Sequence, residues 1–259
     1  MADFTIDDEV KKAARDGIDF DKWWLTKDIA FRVENKNLRH ELKKEYLIEE
    51  AAIAAALPDT VRCILFVYGK PDTGKSYATR EFFRQLYGPQ ADRVINVSGP
   101  RSGAFDKATL RTDAIIFDSM QMGEGLTKDM LRLCDDGKPL LHRRHKGDVA
   151  YVGKYTVIVT DYSPREWLKA LGNKYWDKKD GRPTDVGIAL LARLTKIRVY
   201  EKGNDILIDL PVYSTCGTEE AQHEKKELAD KYVDFLRKSC HYYATHGHTS
   251  HAIEMLDVI

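Results

Sequence analysis

Residues 63–88 read CILFVYGKPDTGKSYATREFFRQLYG, and the order of the parts decides the fold. CILFVYG is a short unbroken apolar run, the pattern of a strand buried on both faces. SYATREFFRQLYG, from 76 to 88, reads as a helix. Between them Gly69-Lys70-Pro71-Asp72-Thr73-Gly74-Lys75-Ser76 satisfies GxxxxGK(S/T). A pattern this short needs its context, and a glycine loop leaving a buried strand and opening a helix is the context phosphate binding requires. The glycines let the backbone curl its N–H groups toward phosphate oxygens, and the helix N-terminus adds partial positive charge. Lys75 is predicted to reach the β- and γ-phosphates, the Ser76 hydroxyl to ligate Mg2+, and the loop with Tyr77 to hold ATP.

Outward from this unit, RVINVS (93–98), DAIIFD (113–118) and KYTVIVTD (154–161) are further buried-strand candidates. Strands alternating with helices or loops predict an α/β fold with a parallel sheet, the P-loop NTPase architecture. Asp118 closes one of these strands and is predicted to ligate the Mg2+. Residues 1–58 read as a small helical bundle, because the stretch from 36 to 57 is rich in helix formers and stops at Pro58; the sharper alternative adds an oligomerisation surface. Trp23 and Trp24 are expected to pack on it. ARLTKIRVYEKG and DILIDLPVY predict a strand pair turning at residues 202–205, and a charged helix follows from Glu219. The predicted division is 1–58, an ATPase domain at 59–200, and a strand and helical tail at 201–259.

The chain has 259 residues, with 41 Lys+Arg balanced by 41 Asp+Glu. Its 43% hydrophobic content excludes a mainly disordered chain, and zero net charge excludes a polycationic binder but not a local basic patch. No run approaches the roughly 18 apolar residues of a membrane span, and the acidic start MADFTIDDEV is no signal peptide. Four scattered cysteines without a CxxC pair read as reduced thiols. A soluble intracellular protein with no membrane partner is expected.

DAIIFDSM, followed by LTKDMLRLCDDGKPLLHRRHKGDVAYVGKYTVIVTDYSPREWL, resembles the superfamily 3 helicase domain of replication-initiator (Rep) proteins. These belong to small circular single-stranded DNA viruses, circoviruses especially, and to related plasmids. LRLCD (131–135), a basic loop around 142–147, a hydrophobic strand (155–160) and PREW (164–167) fall in the family's order, and GKPDTGKS is similar to its GPPGTGKS. The resemblance covers about residues 61–200 and implies an AAA+-like fold and an ATP-driven DNA helicase acting as a hexameric ring. It implies a hairpin gripping single-stranded DNA through Arg143, Arg144, His145 and Lys146, the last and Arg144 foremost. It also implies an arginine finger, with Arg193 the best match and Arg165 the alternative. The location would be a eukaryotic host nucleus for a virus, or bacterial cytoplasm for a plasmid.

The departures carry their own expectations. The family's Walker B strand usually ends in two acids, and the second position here is Ser119. The sensor position is usually Asn and here is Asp161, which is expected to replace the missing acid in orienting water. The nickase domain of Rep initiators has no counterpart, so a separate nickase or initiator is an expected partner. The YxxK matches at Tyr151 and Tyr175 and the HGH at 246–248 are read as chance. His241, His246, His248 and His251 are read as solvated, and Trp167 and Trp176 as core or interface side chains. Two competing functions share this site chemistry: a slow ATP-gated assembly protein derived from a helicase, and an RNA helicase of the picornavirus-like branch.

Overall fold

The strands in chain order are β1 (Cys63–Gly69), β2 (Val94–Val97), β3 (Ala114–Asp118), β4 (Leu140–Arg143), β5 (Gly147–Ala150), β6 (Tyr155–Thr160), β7 (Trp176–Asp177), β8 (Arg182–Pro183), β9 (Thr195–Lys202) and β10 (Asp205–Ile208). Six of them form one sheet in the order β10-β9-β1-β6-β3-β2. All neighbours in it run parallel except β10 with β9. The computed structural model describes residues 5–88, 93–97, 104–118, 130–143, 147–203 and 205–246.

The unbroken apolar runs are explained by a sheet covered on both faces. Ile64, Phe66, Ile115, Phe117 and Ile158 point to one side, where Trp167, Leu168, Leu190 and Leu194 meet them. The alternate residues Leu65, Val67, Ile116, Val157 and Val159 point to the other. There they meet helices α5 (Lys75–Tyr87) and α8 (Glu219–His246), which bring Phe82, Phe83, Tyr232 and Leu236. Each fully buried side chain of this size contributes roughly 1.5–3 kcal/mol. Helices α6 (Pro164–Leu171) and α7 (Asp185–Arg193) cover the first face. Trp167 and Trp176 are core residues, as the sequence implies. The domain boundary drawn at residue 200 falls inside β9, and α8 completes the core that β1 begins.

Arg62, fully buried just before β1, donates to the carbonyls of Tyr151 (2.8 Å), Gly153 (3.0 Å), Gly137 (3.0 Å) and Asp135, with its guanidinium 4.4 Å from the Tyr151 ring centroid. The LRLCD segment is therefore a junction. Leu133 and Cys134 enter the core, Asp135 pairs with Arg193, and Asp136 pairs with Lys225 of α8 at 2.8 Å.

The N-terminal unit holds α1 (Ile6–Arg15), α2 (Phe20–Thr26), α3 (Ile29–Glu34) and α4 (Arg39–Ala56). Thr5 and Asp8 close a capping box on α1, and the Asp19 carboxylate caps α2. Trp23 and Trp24 join Val10, Phe20, Leu42 and Tyr46 in a separate small core, as expected. The cysteines are free thiols, and among the described residues no helix is long and apolar enough to cross a membrane.

Candidate functional site

The loop from 69 to 76 leaves the carboxyl end of β1 and turns into α5. Gly69 is required there: its φ is 148°, and a Cβ would lie 1.7 Å from the Val199 carbonyl oxygen of β9. Gly74 at φ 77° caps α5, whose first intrahelical bond runs from Ala78 N–H to the Gly74 carbonyl at 2.9 Å. Asp72 also adopts a left-handed conformation, φ 60°, at the place where GPPGTGKS has glycine. Asp is among the few residues that tolerate this.

Lys75 is almost fully buried and folds back over its own loop. Its ammonium donates to the Gly69 carbonyl at 3.0 Å, to the Lys70 carbonyl, to Thr73 Oγ1 at 3.3 Å and to Asp161 Oδ1 at 3.0 Å. Ser76 Oγ donates to Asp118 Oδ1 at 2.7 Å. β6 lies between β1 and β3, so the loop, Asp161 and Asp118 meet at the carboxyl ends of three adjacent strands. Residues 71–77, with Arg80 and Asp161, line a cleft of about 290 Å³. Thus Pro71, Asp72, Thr73, Gly74, Lys75, Ser76 and Tyr77 share one cavity, while Gly69 and Asp118 lie outside its lining, Gly69 at the start of the loop and Asp118 behind Ser76. Ligands prefer this crevice in open α/β sheets.

A hydroxyl and a buried carboxylate side by side form a hard-oxygen donor pair suited to Mg2+, a cation commonly held by one or two carboxylates plus phosphates. The residues fit that ion. Below the loop, Thr79 Oγ1 donates to the Lys75 carbonyl at 2.7 Å and lies 2.6 Å from the Tyr232 hydroxyl of α8. Burial pushes the Tyr232 phenol far above its ordinary range, so it stays protonated.

Other predicted residues fall elsewhere. β4 and β5 do form the expected antiparallel hairpin, closed between Arg143 and Gly147. Arg143, however, is 2% exposed. It donates to Glu50 of α4 at 2.7 Å and to the carbonyls of Ala108 and Gly147 at 3.1 Å. That corrects its assignment as a nucleic-acid contact: the guanidinium ties the hairpin base to the N-terminal unit. Arg144, His145 and Lys146 lie outside the described residues, as do Ser119, His248, His251 and the side chains of His241 and His246.

Arg193 ends α7, beside the strand ends opposite the cleft, with Asp135 and the Ala189 carbonyl as its partners. The alternative, Arg165, lies 5.3 Å from the Trp176 ring centroid. Neither arginine reaches the cleft of its own chain, so a finger role calls for a second copy. Tyr151 and Tyr175 are fully buried.

Two residues of the region entered no reading of the sequence. Arg80, whose guanidinium donates to Asp118 Oδ2, sits four positions after Ser76, and helical spacing alone would have flagged it. Tyr232 lies 153 residues from Thr79 and carries no local signal. Among known proteins, no family model matches this chain and no curated protein matches it.

Proposed function

We propose that the chain is a P-loop ATPase of the superfamily 3 helicase type, hydrolysing Mg-ATP to move along single-stranded DNA as a ring during replication of a small circular genome. The supporting observation is the convergence of Lys75, Ser76, Asp118 and Asp161 around one cleft at the end of α5. In this reading the N–H groups that open α5 receive phosphate oxygens, and Lys75 exchanges its loop carbonyls for the β- and γ-phosphates. Ser76 and Asp118 hold the Mg2+, which when bound offsets charge building on the phosphoryl oxygens. Asp161 orients the attacking water. The tip of the β4–β5 hairpin grips the DNA backbone.

The test is phosphate release from Mg-ATP with and without single-stranded DNA, beside Lys75→Ala. DNA-stimulated turnover that Lys75→Ala abolishes supports a DNA motor. Stimulation by RNA alone would move the reading to an RNA helicase.

The ion pair between Lys75 and Asp161 favours a second reading, an ATP-gated assembly protein that turns over slowly. Tight ATP binding without phosphate release under either condition would select it.

A further inference from the structure

Both carboxylate oxygens of Asp118 are held from α5. Ser76 Oγ donates to Oδ1 at 2.7 Å, and the Arg80 guanidinium donates to Oδ2. Asp118 is 4% exposed while Arg80 is 58% exposed and lines the cleft, so the guanidinium reaches inward from the cleft wall to a buried carboxylate. Lys75 is likewise paired, with Asp161. Both cations that line the cleft are therefore matched by carboxylates from the ends of two adjacent strands.

A divalent cation on Ser76 and Asp118 would meet the guanidinium at the same carboxylate. Two cations at contact range on one carboxylate repel, so occupancy by one opposes the other. Arg80 is mostly solvated, so the guanidinium regains water when it leaves, and a divalent cation would take over as the counter-charge of the buried Asp118 carboxylate. Its helix position also leaves the freed guanidinium facing the cleft.

We infer that Arg80 gates the divalent-cation position of this site, occupying the Asp118 oxygen until a metal-bound nucleotide displaces it, and then turning toward the phosphates. The inference rests on the nucleotide reading of the cleft. Apparent metal affinity is reduced by the fraction of Asp118 that Arg80 holds, and metal-free nucleotide meets a site whose two cations are already paired.

The experiment titrates Mg2+ into wild type, Arg80→Gln and Arg80→Lys with a fluorescent N-methylanthraniloyl-ATP and reads the Mg2+ concentration at half-maximal nucleotide binding. Arg80→Gln lowers that midpoint about fivefold, the scale of one partly solvated ion pair, and Arg80→Lys restores part of it. In EDTA, Arg80→Gln binds the nucleotide no better than wild type, because it has lost a cation from the cleft. A second readout needs no nucleotide: Mn2+ bound by the protein alone, followed by electron paramagnetic resonance, rises in Arg80→Gln. An unmoved Mg2+ midpoint together with unchanged Mn2+ binding overturns the gate and leaves the nucleotide site standing. A wild type that binds no nucleotide at any Mg2+ concentration overturns the nucleotide reading and the gate with it.

Discussion

Lys75 and Asp161 are 86 residues apart in the chain, yet their charged atoms lie 3.0 Å apart at the mouth of the cleft. Asp161 follows the last residue of β6, the strand hydrogen-bonded to β1, so its carboxylate arrives from next door. The pair is lopsided. Lys75 is 5% exposed and Asp161 is 54% exposed, so the carboxylate regains water on leaving, whereas the buried ammonium then needs another anion. On the proposed nucleotide reading, an incoming phosphate must compete with Asp161 for that ammonium.

Replacing Asp161 by Ala separates the two roles that the proposed function gives it. Lys75 loses a competitor for phosphate, so ATP binds about fivefold tighter in an equilibrium titration. On the proposed reading phosphate release falls to background, because Asp161 is the acid that orients the attacking water. Turnover at the wild-type rate would remove Asp161 from the chemistry, and unchanged affinity would mean that the ion pair does not restrain Lys75.

Gly69→Ala tests the close approach of β1 to β9. With a Cβ 1.7 Å from the Val199 oxygen, the strands must part, which costs about 3 kcal/mol or more in urea unfolding. Gly181→Ala is the control. Its φ is 64° and nothing lies within 4 Å, so it loses only the backbone preference, about 1 kcal/mol. Equal losses at the two positions would refute the steric account.

The Glu50–Arg143 pair is buried on both sides, and burial raises the Glu50 carboxyl above its ordinary range even with Arg143 beside it. Glu50→Leu leaves a guanidinium without its counter-charge and destabilises the chain by about 3 kcal/mol. Adding Arg143→Met recovers most of that in a double-mutant cycle. Arg143→Met also leaves the salt dependence of single-stranded DNA binding unchanged, whereas Lys146→Ala lowers the slope by about one unit. A reduced slope in Arg143→Met would return it to the DNA surface.

Glu81, on the helix that carries the loop, accepts from Arg84 at 2.7 Å and from Gln85 at 2.8 Å. The Arg84 hydrogen bonds come first in holding its carboxyl below the ordinary 4.5, against opposing burial. A folded-state pKa below the unfolded one contributes stability that is present above pH 4.5 and lost as pH falls through the folded value. Urea midpoints measured from pH 6 down to pH 3 therefore decline, and less steeply for Glu81→Gln. Parallel declines for the two proteins would show that Glu81 is not a source of the acid sensitivity.

The strands, the loop and its helix were legible because their signals are local. CILFV, AIIF and VIV are apolar without a break, as two covered faces demand, and the glycine loop between β1 and α5 identifies itself by residue type. Asp118 and Asp161 were legible as strand ends. The basic run from 142 to 146 misled at Arg143, because local charge density does not report which side chains a fold turns inward.

The sequence by itself determined an alternating α/β chain, a separate N-terminal helical unit and the place of the glycine loop, since periodicity and backbone preference act over a few residues. Only the tertiary structure decided that Arg143 meets Glu50 across 93 residues, that Asp161 meets Lys75, and that Arg80 turns onto Asp118. The two at the cleft follow from strand order, and the first from the packing of β5 on α4. The sheet puts β6 between β1 and β3, and the low cost of bringing opposite charges together at its carboxyl edge does the rest.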